Sequence, residues 1–269
     1  MPEGHIVHAQ ARAIARAFAG TPVAVDSPQG RFAAGAAIVD GQVLTGAQAY
    51  GKHLYIAFAG GHWIHVHLGL YGKWVIGKGP APEVRGELRL RMVNDSHHAE
   101  LRGPAVCELL DEEGMRASIA RIGPDPIRRD ADPERAWAKV TRSRQPIGAL
   151  LMDQGVFAGV GNIYRAEVLF RHEVSPFRPS ASVARAQFDA MWADLEVLMR
   201  QGVRRRRIDT VRDEHLPRAM GRAPRVDRHG GEVYVYRRAG QACWVCGDDV
   251  VGDVMQGRNL YWCPTCQPD

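Results

Sequence analysis

The sequence predicts an α+β protein in which a β-rich segment, a helical segment and a small cysteine module follow one another. Three observations predict this order. Between about residues 22 and 110, short apolar runs alternate with glycine turns. Residues 133–202 show mostly helical apolar spacing. Residues 243–266 contain four cysteines in two closely spaced pairs.

The first half begins with helical spacing over residues 5–19, where Ile6, Ala9, Ala13 and Ala17 share a face. Short strands bounded by turn residues then predict a sandwich or barrel-like β domain. The predicted strands are Ala36–Val39, Leu54–Phe58, Trp63–Leu68, Leu88–Val93 and Ala105–Leu110.

Gly123-Pro124-Asp125-Pro126 is a plausible domain boundary, because two prolines disfavour a continuous helix or a central strand. The helices predicted after it are Pro146–Met152, Asn162–Phe170 and Ala184–Met199. Val203–Arg228 then reads as a basic loop, and Val233–Tyr236 as a strand that leads into the cysteine module.

Composition bounds the class of protein. With 269 residues, 45% of them hydrophobic, the chain can bury a core in one large domain or in two to three smaller ones. No apolar run is long enough to span a bilayer. The first twenty residues contain Glu3, Arg12 and Arg16 and do not resemble a signal peptide. We therefore expect a soluble, cytoplasmic protein that does not act at a membrane.

Positive charge is concentrated late in the chain. The net charge is +5, and Arg200–Arg238 contains twelve arginines against five acids, with a run at residues 204–207. The guanidinium group matches phosphate oxygens with a fork of donors, so the segment favours contact with nucleic acid. A solvated charged face is the alternative.

Pro2 is a candidate nucleophile. Removal of Met1 would leave a secondary amine that attacks an electrophilic carbon and forms an iminium ion. An α-amino group has a pKa of about 8, well below that of lysine, so more of it is the free base. Glu3 supplies a carboxylic acid beside it. A disordered chain start is the alternative, and retained Met1 would leave the Pro2 nitrogen an unreactive amide.

Cys243, Cys246, Cys263 and Cys266 form two CxxC pairs with sixteen residues between them. This spacing predicts a closed, tetrahedral, structural zinc site. Two disulfides or a redox pair are the alternatives, and a cytosolic chain disfavours the former. The insert between the pairs, with Gly257 and Arg258, would project as a hairpin. Cys107 is interpreted as a buried small hydrophobe.

Three further motifs each have two interpretations. Gly159-Val160-Gly161-Asn162 joins two predicted helices as a phosphate-binding turn or as a simple connection. Lys52, just before a predicted strand, either binds phosphate or transfers protons, or it is simply a solvated lysine. Leu70 and Tyr71, between Gly69 and Gly72, are a DNA wedge or core residues. His65 and His67 share a strand face, but no further ligand suggests a metal site.

Together these motifs resemble the formamidopyrimidine-DNA glycosylase/endonuclease VIII family, most closely its actinobacterial endonuclease VIII-like branch. The resemblance spans nearly the whole chain. It rests on the start at residues 1–4, Gly51-Lys52, residues 67–72, the helix–two-turn–helix signature at residues 152–167, and residues 257–267.

The resemblance implies an N-terminal antiparallel β-sandwich (residues 1–124), a helical domain with a helix–two-turn–helix (125–232) and a C-terminal four-cysteine zinc ribbon (233–269). It implies a bifunctional DNA glycosylase/AP lyase that removes oxidised bases, with pyrimidines favoured over purines. The alternatives are an oxidised-purine glycosylase and a non-catalytic protein that binds damaged DNA. The expected partner is damaged DNA, either duplex or single-stranded. The protein is expected to be a monomer.

The resemblance also assigns roles to residues. Pro2 would form the Schiff base and Glu3 would transfer protons. Lys52 would contact phosphate and assist protonation, and Arg258 would serve δ-elimination. The implied DNA contacts are Lys52, His67, Leu70, Tyr71, Asn162 and Arg258, and the implied ligands of one structural Zn²⁺ are Cys243, Cys246, Cys263 and Cys266.

Three positions depart from the family pattern. Ile6 replaces a common family glutamate, so its catalytic help is absent or supplied differently. Gly69 gives the first member of the three-residue intercalating set no side chain. Residues 203–230 match neither branch closely, and lesion choice depends on that loop in relatives.

Overall fold

Helix α1 (Gly4–Phe18) opens the chain, close to the helix predicted there. Its buried residues Val7, Ala11, Ile14 and Phe18 recur every three or four positions and join the core of the β domain. The helix packs chiefly on the second and third strands of that domain. The computed structural model describes residues 2–226 and 231–268.

Two antiparallel four-stranded sheets follow α1. One has the order β1-β6-β7-β5 and the other β2-β3-β4-β8. The strands are β1 (Ala24–Asp26), β2 (Leu44–Tyr50), β3 (His53–Phe58), β4 (Trp63–His67), β5 (Lys73–Lys78), β6 (Leu90–Val93), β7 (His97–Arg102) and β8 (Val106–Leu110). Helices α2 (Ala33–Val39) and α3 (Glu112–Ala120) complete this part of the chain.

One hydrophobic core joins both sheets to α1. The strands alternate, so that Leu54 and Ile56 of β3 point into the core together with Met92 of β6 and Leu101 of β7. Residues 1–122 form one compact unit and residues 123–269 a second. The predicted α+β class with an antiparallel β-sandwich is thereby confirmed.

The second unit is mainly helical. Its helices are α4 (Pro133–Val140), α5 (Ile147–Leu150), α6 (Asn162–Arg171), α7 (Arg185–Arg205) and α8 (Pro217–Met220). Helix α7 extends six residues beyond the predicted end at Met199 and ends where Arg206 adopts a positive φ of 54°. The basic segment that follows is thus partly helical, and residues 227–230 lie outside the described residues.

A two-stranded antiparallel hairpin, β9 (Val251–Met255) and β10 (Arg258–Trp262), lies between the two cysteine pairs. Met255 and Leu260 pack on Ala149 of α5, with Trp262 at the edge of this small cluster. Gln267 is buried, and its amide donates to the carbonyl of Val174 at 2.9 Å. The hairpin therefore has fixed contacts with the helices of its own unit.

Two predicted strands are wrong. Ala36–Val39 belongs to α2, where Ala36 and Val39 lie one turn apart and are both buried. A run this short does not distinguish a strand from a buried helix face. Val233–Tyr236 forms no strand, because the backbone N–H groups of residues 234–236 donate to the buried carboxylate of Glu167 at 2.6–2.9 Å.

No helix within residues 2–226 and 231–268 combines the length and apolar character needed to cross a membrane.

Candidate active site and nucleic-acid interface

Pro2 and Glu3 stand immediately before the first turn of α1. Pro2 is half-buried, and Glu3 is the N-cap residue, with extended backbone and only 3% exposure. The Glu3 carbonyl accepts from the Ile6 N–H at 3.0 Å. The first turn thus holds an acid next to the candidate amine.

Two histidines flank the position of the absent family glutamate. His5 and His8 are both buried, whereas Ile6 itself is half-buried. Burial, with a further contribution from His8, lowers the pKa of His5 to about 3, so this imidazole is neutral near pH 7. The burial of the two histidines depends on α1 packing against the sheets, which the sequence alone does not reveal.

Lys52 lies in the two-residue turn between β2 and β3. Helix α1 packs on these two strands. Gly51 has a φ of +56°, a conformation that a residue with a side chain rarely adopts. Lys52 is only 8% exposed, which excludes a solvated lysine. Lysine is seldom buried to this degree without a partner or a function, so the burial supports the functional interpretation.

His67 ends β4 and lies opposite His53 of β3. It is half-buried, and burial followed by the nearby Lys52 lowers its pKa below the usual value. The structure therefore places Lys52 close enough to His67 for its charge to act on the imidazole. Among the described residues, the histidines of β4 belong to no group of three or more side chains that could hold a metal ion.

Leu70 and Tyr71 occupy the tip of the loop between β4 and β5, and they are 55% and 87% exposed. This exposure excludes the alternative that they are core residues. Gly69 has a φ of +65°, and a Cβ at Gly72 would lie 2.3 Å from the Leu68 carbonyl oxygen. Both glycines are thus required to form a tight loop that displays two large apolar side chains.

Asn162 is the first residue of α6, after the glycine turn, and its amide donates to the Asn259 carbonyl of β10 at 2.8 Å. Buried Arg165 donates to the Asn162 side-chain oxygen and, at 2.8 Å, to the same Asn259 carbonyl. Exposed Arg258 is the residue before Asn259. The structure therefore joins the predicted turn to the predicted hairpin, and Arg165 holds them together.

Arg165 was not among the predicted site residues. The sequence offers one signal: Arg165 is a cation within residues 163–170, which are apolar apart from it and Glu167 and are all buried. An arginine on a buried helix face requires acceptors from another element. Which acceptors it meets depends on the folded position of β10, and sequence spacing does not reveal that.

The four cysteines converge as predicted. The Sγ atoms of Cys243, Cys246, Cys263 and Cys266 all lie within 4.8 Å of one another. Two of the Sγ pairs are 3.8 Å and 3.4 Å apart, for Cys243–Cys266 and Cys246–Cys263 respectively. A tetrahedral ion with Zn–S bonds of about 2.3 Å requires S–S separations of about 3.8 Å. The residues present therefore fit a four-thiolate metal site.

The arginines after α7 divide into exposed and paired groups. Arg204–Arg207 are exposed, although Arg205 and Arg207 also contact Asp209 at 3.4 Å and 3.0 Å. Arg222 pairs with Glu232 at 2.7 Å and stacks on Trp244 of the first cysteine pair. The excess of basic charge is thus only partly neutralised by ion pairs within the described residues.

Comparison with known proteins supports the resemblance. Residues 1–104 match the formamidopyrimidine-DNA glycosylase N-terminal domain, and residues 122–213 match the formamidopyrimidine-DNA glycosylase H2TH domain. Endonuclease 8 1 of Mycobacterium bovis is 50% identical over 99% of this chain and 100% of its own length. The probable endonuclease 8 2 of Streptomyces coelicolor is 31% identical over 99% and 94%.

Solved structures agree on the fold. A complex between the Lactococcus lactis Fpg and an abasic site containing DNA matches with a TM-score of 0.79 and 19% identity, over 99% of this chain and 100% of that chain. The chain therefore belongs to the formamidopyrimidine-DNA glycosylase/endonuclease VIII family. Within that family it falls in the actinobacterial endonuclease VIII branch.

Proposed function

We propose that this chain, by family a DNA glycosylase of base-excision repair, removes oxidised bases and then cleaves the strand as an AP lyase. Pyrimidines are the favoured substrates. The observation that carries the proposal is the position of Pro2, whose mature amine would adjoin the buried Glu3 at the start of α1. A nucleophile beside a proton-transfer group is the arrangement that covalent catalysis requires.

In the first step, the Pro2 lone pair forms a bond to C1′ of the damaged nucleotide. The bond from C1′ to the base breaks, and the base leaves with a proton. Sugar-ring opening, with proton transfer assigned to Glu3 and assisted by Lys52, produces the iminium. Loss of a C2′ proton then expels the 3′ phosphate by β-elimination, and loss of the C4′ proton expels the 5′ phosphate by δ-elimination. Water finally hydrolyses the iminium and frees the Pro2 amine.

The remaining predicted residues hold the DNA. Lys52, His67, Asn162 and Arg258 would contact phosphates around the lesion, where cations and N–H donors supply most of the affinity. Leu70 and Tyr71 would fill the space that the flipped nucleotide leaves. Their exposure supports this role, because a wedge must protrude from the loop that presents it.

Zn²⁺ is the metal that we assign to the four-cysteine site. With four protein ligands the ion would have no open position, so its contribution would be structural: it would close the module of residues 233–269 and hold the β9–β10 hairpin. Arg258 would then be presented from a rigid tip. The proposed domains remain residues 1–124, 125–232 and 233–269.

Borohydride trapping tests the mechanism. Mature protein that begins at Pro2 should form a covalent adduct with an abasic duplex, detectable by intact mass. A matched form with one extra N-terminal residue should bind the duplex but give no adduct, because its Pro2 nitrogen is an amide. Mature protein that binds without trapping would instead support a non-catalytic damage-binding protein.

A panel of lesion-bearing duplexes tests substrate choice. We expect faster base removal from thymine glycol and 5-hydroxycytosine than from 8-oxoguanine under single-turnover conditions. The reverse order would identify an oxidised-purine glycosylase, with the Schiff-base mechanism unchanged.

A further inference from the structure

A cluster of rings covers the face of the β2-β3-β4-β8 sheet that lies away from the core. His53 and Tyr55 of β3 lie opposite His67 and His65 of β4. The ring centroids of His53 and His65 are 5.1 Å apart, those of His53 and His67 are 4.8 Å apart, and those of Tyr55 and His65 are 4.7 Å apart. Neither the sequence motifs nor the proposed mechanism assigns His53, Tyr55 or His65 a role.

Hydrogen bonds connect this cluster in a chain. His65 Nδ1 lies 2.8 Å from the Glu108 carboxylate of β8, and His65 Nε2 lies 2.9 Å from His53 Nδ1. An ionised carboxylate only accepts, so His65 carries its hydrogen on Nδ1. With its hydrogen on Nδ1, His65 accepts at Nε2, His53 donates from Nδ1, and the His53 Nε2 atom has a lone pair.

The His65 ring in this hydrogen-bond chain is also held by residues outside the chain. Tyr55 stacks almost parallel on His65, with an interplanar angle of 10°, and its hydroxyl pairs with Ser118 of α3 at 2.8 Å. His65 is buried. The ring that transmits the orientation of Glu108 to His53 therefore has little freedom to rotate.

The His53 end of this hydrogen-bond chain lies next to the proposed phosphate site. His53 follows Lys52 directly, and its ring lies 4.8 Å from that of His67, tilted by 44°. Burial lowers the pKa of His53 to about 3, with further contributions from His67, His65 and Lys52. Beside the lysine, the protein thus places a neutral acceptor. A carboxylate at the same position would cancel the lysine charge that phosphate binding needs.

We propose that Glu108, His65 and His53 form a positioning relay that presents the His53 Nε2 lone pair to Lys52 and His67. The relay orients these two side chains toward the phosphates that flank the lesion. It leaves the negative charge on Glu108, two imidazoles away. This inference rests on the proposed function, since it concerns the phosphate contacts of that reaction.

His53→Asn tests the relay, because the asparagine side-chain amide occupies the place of Nδ1 and still donates to His65 but offers no Nε2 acceptor. Affinity for a duplex with a tetrahydrofuran abasic analogue should fall about tenfold, as for loss of one hydrogen bond to a charged group. Borohydride trapping at saturating abasic DNA should be retained. His62→Asn, in the turn at the opposite end of β3 and β4, is the matched control and should bind normally.

Glu108 supplies an independent test. Glu108→Ala removes the acceptor that sets the His65 tautomer and should weaken binding, whereas Glu108→Gln retains a carbonyl acceptor and should restore most of it. The double variant of His53→Asn with Glu108→Ala should bind no more weakly than His53→Asn alone, because both changes interrupt one chain. Thermal unfolding of each variant separates positioning from loss of fold.

Normal binding by His53→Asn, or additive losses in the double variant, would overturn the relay. If wild-type protein traps abasic DNA and His53→Asn binds as wild type, the relay fails and the proposed function stands. If wild-type protein neither binds nor traps abasic DNA, the proposed function itself fails.

Discussion

Arg258 is exposed at the start of β10, directly after the left-handed residues Gln256 and Gly257. A cation at such a tip reaches a phosphate without any change in the protein core. Besides its phosphate contact, its proposed part in the chemistry is confined to the last step, δ-elimination, so the effect of its removal on the chemical steps should be equally selective.

Arg258→Ala should leave base removal and β-elimination nearly unchanged and slow δ-elimination by about tenfold or more, the effect of losing one charged contact. Quantifying both elimination products from an abasic duplex measures this. Arg218→Ala, which removes another exposed arginine of the same unit, is the control. Equal loss of all three activities would point to a role of Arg258 in folding.

Asp194 of α7 illustrates how a buried, ion-paired carboxylate contributes to stability. Arg171 and His172 at the end of α6 contact its carboxylate at 2.6 Å and 3.2 Å. Burial raises the pKa of Asp194, but hydrogen bonds from His172 and Arg171 outweigh that effect and lower the pKa to about 2. A lowered pKa in the folded protein stabilises it at every pH above the unfolded value.

Asp194→Asn should therefore reduce the free energy of unfolding by about 2–3 kcal/mol near pH 7, as a shift of nearly two pKa units implies. The deficit should persist down to about pH 4 and shrink between about pH 4 and 2, where the wild-type carboxylate becomes protonated. Urea unfolding across that range measures it. A deficit that stays constant to pH 2 would contradict the ion-pair explanation.

The elements show how far sequence patterns reach. Helices α1 and α6 were predicted nearly to their ends, because their apolar spacing agrees with their buried faces. Strands β3, β4, β6 and β8 were predicted from apolar runs, whereas β1, β2, β5 and β7 were missed. Strand β7 illustrates why: it carries His97, His98, Glu100 and Arg102 among its six residues. Buried Glu100 is tolerated because Arg91 and Arg102 pair with it.

The site shows the same division. The four-cysteine cluster follows from local spacing alone, whereas spacing left Leu70 and Tyr71 either exposed at a loop tip or in the core. The contacts of Arg165, Glu167 and His53 do not follow from spacing, because each joins residues distant in the chain. The carboxylate of Glu167 accepts backbone N–H groups 67–69 residues later, and this long-range demand abolishes the strand expected there.

At the level of the β4–β5 loop, Tyr71→Ala should slow base removal from a damaged duplex by about tenfold, since stacking on a base contributes about 1–3 kcal/mol. Strand cleavage at a preformed abasic site should fall less, because no intact base must be displaced there. Single-turnover rates on the two substrates measure the ratio. Tyr71→Phe keeps the ring and should behave as wild type; similar losses in both variants would contradict a stacking role.

For the whole molecule, the metal site and the helices are mechanically connected within the second unit. The β9–β10 hairpin contacts α5 through Met255 and Leu260, and Gln267 anchors the end of the module to Val174. These contacts alone are few. A bound ion contributes about 10 kcal/mol or more to the folding of small zinc modules.

Removal of the metal by a chelator should therefore abolish tight binding to abasic DNA, while the β-sandwich of residues 1–122 keeps its fold. Fluorescence anisotropy reports the first effect and circular dichroism the second. Added Zn²⁺ should restore binding, which controls for damage by the chelator. Metal-free protein that cleaves DNA at the normal rate would refute a role for the hairpin.

The bonds around Asn162 have one more consequence. Its oxygen accepts from Arg165 and its nitrogen donates to Asn259, so the two ends of the amide cannot exchange places. One of the two amide hydrogens goes to Asn259, and the other is available for the proposed phosphate. The side chain thus meets DNA in a single rotamer, and binding avoids most of the roughly 0.5–1.5 kcal/mol that immobilising a free side chain costs.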